Sequence, residues 1–308
     1  MVLAVVLFDS FGIEPASIPR ADLVTITKEI NEQWLRSKRN PDGVAPSSLL
    51  DSTIESLRII SRFPNSKPVE LSASEVLSLI MPQYETLWRV VLLTFVTAYH
   101  HQPDAYPDAV QRTVDVPACL GHPVWEKEAL KLAKEGLRLY PSNKHLYRAG
   151  PSCLTSPDGT PAGTRAADIS ALHRHPAIWG GARDALAFRP ARFDDGALTD
   201  LQRRAYMPFS RPPHRCPAAG TPARTAATET SSNPFGERMI VVLVVALGRA
   251  LGRHKGRVVF GEEGGKGKGK DGGGGAGGAR FFAEGEPLPT GRDEMEGWVW
   301  EWHGKKDR

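Results

Sequence analysis

At 308 residues the chain is long enough to bury a substantial core, as one large domain or two small ones. Its 39 Lys and Arg against 35 Asp and Glu leave a formal charge of +4, too modest to call for nucleic acid on composition alone. Three cysteines, Cys119, Cys153 and Cys216, are odd in number and lack metal-finger spacing, which argues against a disulfide scaffold and fits a reducing compartment.

MVLAVVLF at the start is too short to span a bilayer and has no basic flank to make it a signal peptide. RADLVTITKEINEQWLRSK places Leu23, Ile26, Ile30 and Leu35 near one face of a helix. DSTIESLRIISRF is expected as a second amphipathic helix with Asp51 at its N-cap, after a Pro/Gly/Asn-rich loop. From Ser72 to His101 the chain is apolar nearly all round once past Pro82, the pattern of a helix at the centre of a fold.

VWEKEALKLAKEGLRLYP reads as an amphipathic helix with Leu130, Ala133, Leu137 and Tyr140 on its apolar side, stopped by Pro141. Glu135 and Arg138, three apart, share one face of it. PSCLTSPDGTPAGTRAADIS reads as a turn-rich β region. ALHRHPAIWG, FRPARF and a meander then lead to Cys216. This cysteine lies in a loop stiffened by Pro212, Pro213 and Pro217, with Phe209 seven residues before it and His214 two before it. The prolines fix torsions and remove amide donors, so the placement of the sulfur owes little to ladder hydrogen bonds. A lone thiol so held suits a metal ligand.

GTPARTAATETSSNP, low in apolar residues, reads as disordered. Within FGERMIVVLVVALGRAL, the run MIVVLVVAL from Met239 to Leu247 is too short for a membrane span and reads as a buried helix. Residues 261–280 form a Gly/Lys-rich flexible linker, and the local excess of positive charge lies around it. That segment lacks the aromatics and arginine repeats of a nucleic-acid tail, so no nucleic-acid partner is expected. GWVWEWHG is a short strand with Trp298, Trp300 and Trp302 on one face, an arrangement expected in a core.

The stretch around Cys216 resembles the cytochrome P-450 superfamily, the heme-thiolate monooxygenases, in a eukaryotic, fungal-type form that is N-terminally truncated and partly degenerate. The family loop reads Phe-x-x-Gly-x-Arg/His-x-Cys-x-Gly; Phe209, His214 and Cys216 match it, while Pro212 and Ala218 replace the glycines. Pro190, Arg192 and Phe193 match the family's Pro-x-Arg-Phe element, and Ala171 through Gly180 match the run before it. Glu135 and Arg138, followed by Leu-Tyr-Pro, resemble its Glu-x-x-Arg helix.

The resemblance implies a mainly α fold with a small β region, the C-terminal two-thirds of the P-450 fold. The expected domains are a heme domain over 1–260 with an insertion at 220–234, the linker over 261–280, and a β segment over 281–308 of the same domain. Heme b (iron protoporphyrin IX) is the implied cofactor. Cys216 would be its proximal ligand, His214 and Arg148 would contact its propionates, and Phe209 would shield the sulfur. Glu135, Arg138 and Arg192 would form a buried charge network behind the cysteine loop. Glu85 and Thr86 stand where the family's central helix carries an acid–alcohol pair for proton delivery, although Pro82 and Gln83 replace the small residues before it.

The implied reaction inserts one oxygen atom from O2 into a lipophilic small molecule, with electrons from an NADPH-dependent reductase, since the chain carries no flavin or nicotinamide motif of its own. Relatives are usually anchored to the endoplasmic reticulum membrane, yet no anchor is readable here. Two other readings stand beside this one. The chain is a non-catalytic remnant, or a loose heme-binding or heme-sensing protein that uses the Cys216-Pro217 dipeptide.

Overall fold

The computed structural model describes residues 1–39, 47–61, 69–101, 123–142, 145–148, 165–211, 215–219, 235–252, 255–260, 288–291, 295 and 298–303. The expected insertion at 220–234 and the linker at 261–280 lie outside these residues, as do Cys119 and Cys153. The chain divides into two compact units, Met1–Trp88 and Arg89–Arg308.

In the first unit, α1 (Val2–Phe11) is closed by Gly12, whose left-handed backbone (φ 69°) lets its N–H return to the Phe8 carbonyl. α2 (Arg20–Arg39) turns Ile26 and Ile30 inward, as the spacing of its apolar residues requires. α3 spans Ser48–Ser56 and is capped by Ser47, whose hydroxyl accepts the Leu50 N–H. Asp51 is therefore a first-turn residue and not the N-cap, because Ser47 reaches the free amides one turn earlier. The helix also ends sooner than the sequence suggests. Arg58 takes a positive φ, and Ile60–Ser61 (β1) pairs antiparallel with Val69–Glu70 (β2). The core of this unit is built from α1, α2, α3 and the start of α4, with Leu7, Ile26, Leu50, Ile54, Val76 and Ile80 all buried.

α4 (Ala73–Val96) contains Pro82 within its length, and the division between the units falls inside it. It ends in a π-helical turn, Thr97–His101. In the second unit, α5 (Pro123–Leu139) carries the Glu135–Arg138 pair. Leu132, Ala133, Leu137 and Leu139 are buried on it, as is Tyr140 just past its end. His145–Arg148 (β3) and Arg165–Asp168 (β4) form an antiparallel pair. Three short helices follow, α6 (Ile169–His173), α7 (Pro176–Trp179) and α8 (Ala182–Leu186), and then the 3-10 turn Pro190–Phe193 packed on α5. α9 (Asp200–Ala205) has a full capping box, Thr199 and Gln202 bonding each other's backbone.

α10 (Phe235–Leu251) packs on α5 and on the turn Pro217–Ala219, burying Ile240, Val241, Leu243 and Val244. Among the described residues no helix is long and apolar enough to cross a membrane. β5 (Gly256–Phe260) pairs antiparallel with β6 (Trp298–Trp302). The tryptophan face departs from expectation: Trp298 and Trp300 are half-buried, but Trp302 is 63% exposed. Among the described residues the sheet has two strands and none lies beyond β6, and one-face spacing does not by itself create a core.

Candidate functional site

α5 brings Glu135 and Arg138 together because three residues is almost one helical turn. Both side chains are 0% exposed, and Arg138 Nε and Nη2 each donate to one carboxylate oxygen of Glu135 at 2.8 Å. The other guanidinium donors reach main-chain carbonyls. Nη1 donates to His173 at 2.8 Å and to Ala185 at 2.7 Å, and Nη2 to Ala187 at 3.1 Å. All five donors of the guanidinium are thereby used, which makes burial of its charge tolerable. Its carbon also lies 5.1 Å over the Trp179 ring.

The Pro190–Phe193 turn supplies the next layer. Arg192 Nε donates to Glu135 Oε1 at 3.3 Å, and the Arg189 N–H donates to the same oxygen at 2.8 Å. Arg192 also reaches Asp184 Oδ2 at 3.0 Å, the Asp184 carbonyl, and the Trp179 carbonyl at 3.3 Å. Its two arginine partners, Arg189 and Arg192, hold the Asp184 carboxyl below the usual range, against the opposing effect of desolvation, the largest single contribution. The structure thus brings Glu135, Arg138 and Arg192 into one cluster, and adds Asp184 and the Arg189 amide to it.

From this cluster the chain runs to the cysteine loop. Tyr206 packs edge-on against Phe193 at 5.0 Å and stacks on His173 at 5.6 Å. The buried His173 accepts the Met207 N–H at its Nε2, at 2.9 Å. Burial lowers the His173 pKa to about 4; the Arg138 and Arg174 charges push the same way, and backbone groups of Arg138 and Leu137 oppose them. Met207 then accepts the Ser210 N–H at 3.1 Å, closing a turn in which Ser210 holds φ at 60°, and the Cys216 N–H donates to the Phe209 carbonyl at 2.9 Å. The Cys216 carbonyl accepts from Ala219, starting the 3-10 turn below it. The result is a free, exposed thiol on a loop closed at both ends by main-chain bonds. An exposed cysteine with no covalent partner has the donor chemistry to hold a soft metal.

Phe209 is half-buried, with its ring against Gly236 at the start of α10. A side chain at Gly236 would stand 3.0 Å from that ring and 3.2 Å from the Ala218 carbonyl. The next residue, Glu237, is 7% exposed, and burial pushes its carboxyl up to about 7 while Lys134 and Arg215 pull it down.

Residues 131–219, which contain all of this cluster except the α10 contacts, match the family model described as cytochrome P-450. The crystal structure of the heme domain of a cytochrome P-450DA mutant matches with a TM-score of 0.50 at 14% identity, over 85% of this chain and 59% of that one. At that identity the likeness establishes fold. The segment 131–219 therefore matches the cytochrome P-450 family, and the fold is that of a P-450 heme domain. It spans about 59% of the length of that solved domain, and no curated protein matches it.

Against the P-450 loop pattern, Ser210 takes the left-handed backbone, and the proline that stands at the first family glycine, Pro212, lies outside the described residues. His214 also lies outside them, and Arg148 is described only as backbone at the end of β3. Glu85 and Thr86 are on α4 in the first unit, while Cys216 is in the second. The Thr86 hydroxyl donates within its own helix, to the carbonyls of Pro82 at 2.7 Å and Gln83 at 3.2 Å. Sequence reasoning missed Asp184, His173 and Glu237. Only His173 had a visible signal, as a histidine inside a segment already matched to the P-450 family.

Proposed function

We propose that this P-450 chain is the heme-binding part of a heme-thiolate monooxygenase that inserts one oxygen atom from O2 into a lipophilic small molecule. The observation that carries this reading is the free, exposed Cys216 thiol on a loop closed by the Phe209 carbonyl, in a segment that matches the family. Cys216 would ligate the iron of heme b, with Phe209 covering the sulfur and His214 and Arg148 reaching the propionates. When bound, heme supplies the oxygen-activating chemistry, and a Cys216 thiolate increases electron density at its iron.

The chain's own contribution is orientation and proton handling. The Glu135–Arg138–Arg192 cluster anchors the Pro190–Phe193 turn on α5, and through it the meander that ends at the loop. Glu85 and Thr86 are the candidates for holding and passing a proton on the distal side. Electrons come from a separate NADPH-dependent reductase. Residues 1–260 and 281–308 belong to one heme domain in this reading, with the 261–280 linker between them.

A second reading, a remnant that holds heme loosely or not at all, is favoured by Thr86, whose hydroxyl is bonded back to its own helix, and by the two lost loop glycines. The reduced, carbon-monoxide-bound spectrum separates the two. A red-shifted, thiolate-type Soret band supports the monooxygenase, and Cys216→Ala should abolish that band. A band at the ordinary position supports a remnant that holds heme loosely, and absence of heme uptake supports one that holds none.

A further inference from the structure

Between the buried charge cluster and the cysteine loop stands one side chain that the proposed reaction does not use. His173 sits at the end of α6 with no exposed surface. Its main-chain carbonyl is held by Arg138 at 2.8 Å, so the residue is locked to α5. Its ring extends the other way, and Nε2 takes the Met207 N–H at 2.9 Å. Tyr206, immediately before Met207, stacks on the same ring at 5.6 Å with the planes 23° apart.

We propose that His173 is a positioning residue for Cys216, fastening the first residue of the turn from which the cysteine loop departs. The connection is short and consists of main-chain bonds. Met207 receives the Ser210 N–H at 3.1 Å, and Phe209, inside that turn, receives the Cys216 N–H at 2.9 Å. The turn includes Ser210 at φ 60°, a conformation costly for a residue with a side chain, so it persists only where its surroundings hold it. An imidazole is suited to the task because its neutral form has one acceptor nitrogen. Burial favours that neutral form. An apolar residue here would leave the Met207 amide without its acceptor.

The inference rests on the reading of Cys216 as ligand only for its consequence to heme; the fastening itself is a property of the chain alone. The test therefore has two arms. In the heme-free chain, amide exchange is measured by peptide mass spectrometry for wild type, His173→Leu and His173→Gln. Leucine removes the acceptor at similar bulk, and the glutamine carboxamide oxygen can stand near the position of Nε2. His173→Leu should speed exchange over 207–216 by about tenfold, the loss of one buried hydrogen bond. Exchange in α5 should stay at the wild-type rate, and His173→Gln should recover most of the difference.

Met207→Pro deletes the donor while leaving His173 in place, and the extended backbone of Tyr206 suits a residue before proline. It should loosen the same peptide even if His173→Leu does not fold. In the heme-loaded chain, His173→Leu should move part of the carbon-monoxide band to the ordinary position, and His173→Gln should restore it. Wild-type exchange over 207–216 in both His173→Leu and Met207→Pro would overturn the proposal, as would equal effects of Leu and Gln, or a rise in exchange as large in α5 as over 207–216. Failure of wild type to take up heme would sink the monooxygenase reading, while the heme-free arm still decides the role of His173.

Discussion

The Arg138 guanidinium meets the Glu135 carboxylate fork to fork, at 2.8 Å on each arm, one helical turn apart and with neither side chain reaching water. Such a pair adds little net stability compared with an apolar pair, but removing one partner strands a buried charge. Arg138→Leu should therefore lower unfolding stability by about 3–5 kcal/mol. Arg138→Lys should recover little of this, since one ammonium cannot replace five donors in a fixed fork. Urea unfolding followed by circular dichroism measures both.

The helix that carries this pair comes very close to α4. A side chain at Gly136 would place its first carbon 2.1 Å from Thr94 Oγ1, and Thr94 is fully buried, with no hydrogen-bond partner for its hydroxyl among the described residues. Gly136→Ala should cost about 1–3 kcal/mol by overpacking. Thr94→Ala should be close to neutral alone, because it removes an unsatisfied hydroxyl. Combined with Gly136→Ala it should restore much of the loss, and thermal melts of the four proteins in the cycle give the coupling.

A second polar contact joins the end of α4 to the end of α5. The Tyr140 hydroxyl shares a hydrogen bond with Thr97 Oγ1 at 2.7 Å and accepts the Leu288 N–H at 3.3 Å, all of it buried. Tyr140→Phe leaves two polar groups unmatched, so it should destabilise by about 1–3 kcal/mol despite its small change in volume. A variant as stable as wild type in a denaturant titration would mean water replaces the lost hydroxyl.

Glu237 makes stability depend on pH near neutrality. Its carboxyl is raised from an ordinary 4.5 to about 7, chiefly by burial, so the folded chain keeps a proton that the unfolded chain releases. Its contribution is complete below pH 4.5, declines as pH rises, and is lost above about 7, a difference on the order of 3 kcal/mol. Glu237→Gln should therefore flatten that decline and be more stable than wild type at pH 8, relative to their difference at pH 5. Parallel pH–stability curves for the two proteins would remove Glu237 as the source.

His173 acts in the opposite direction. Its pKa is lowered to about 4 from an ordinary 6.5, so its contribution is full above 6.5 and is lost as pH falls through about 4. Below that point Nε2 becomes a donor and can no longer accept the Met207 N–H. Acid should speed amide exchange over 207–216, beyond its intrinsic pH dependence, before the helical circular dichroism signal falls, and His173→Gln should delay that loss of protection.

Much of the local structure was legible because it depends on spacing. Apolar residues three and four apart make α2, α4, α5 and α10 helical, and Glu135 and Arg138 share a face in any helix that contains them both. The order of motifs from Glu135 to Cys216 was enough to indicate the P-450 fold. What the spacing leaves open is which distant groups meet. The His173 carbonyl comes to Arg138 from 35 residues away and Arg192 to Glu135 from 57, and only the folded chain decides that Glu237 is dry and Trp302 wet. Helical periodicity is set by the backbone within a few residues, whereas burial and ion pairing depend on what the rest of the chain packs alongside.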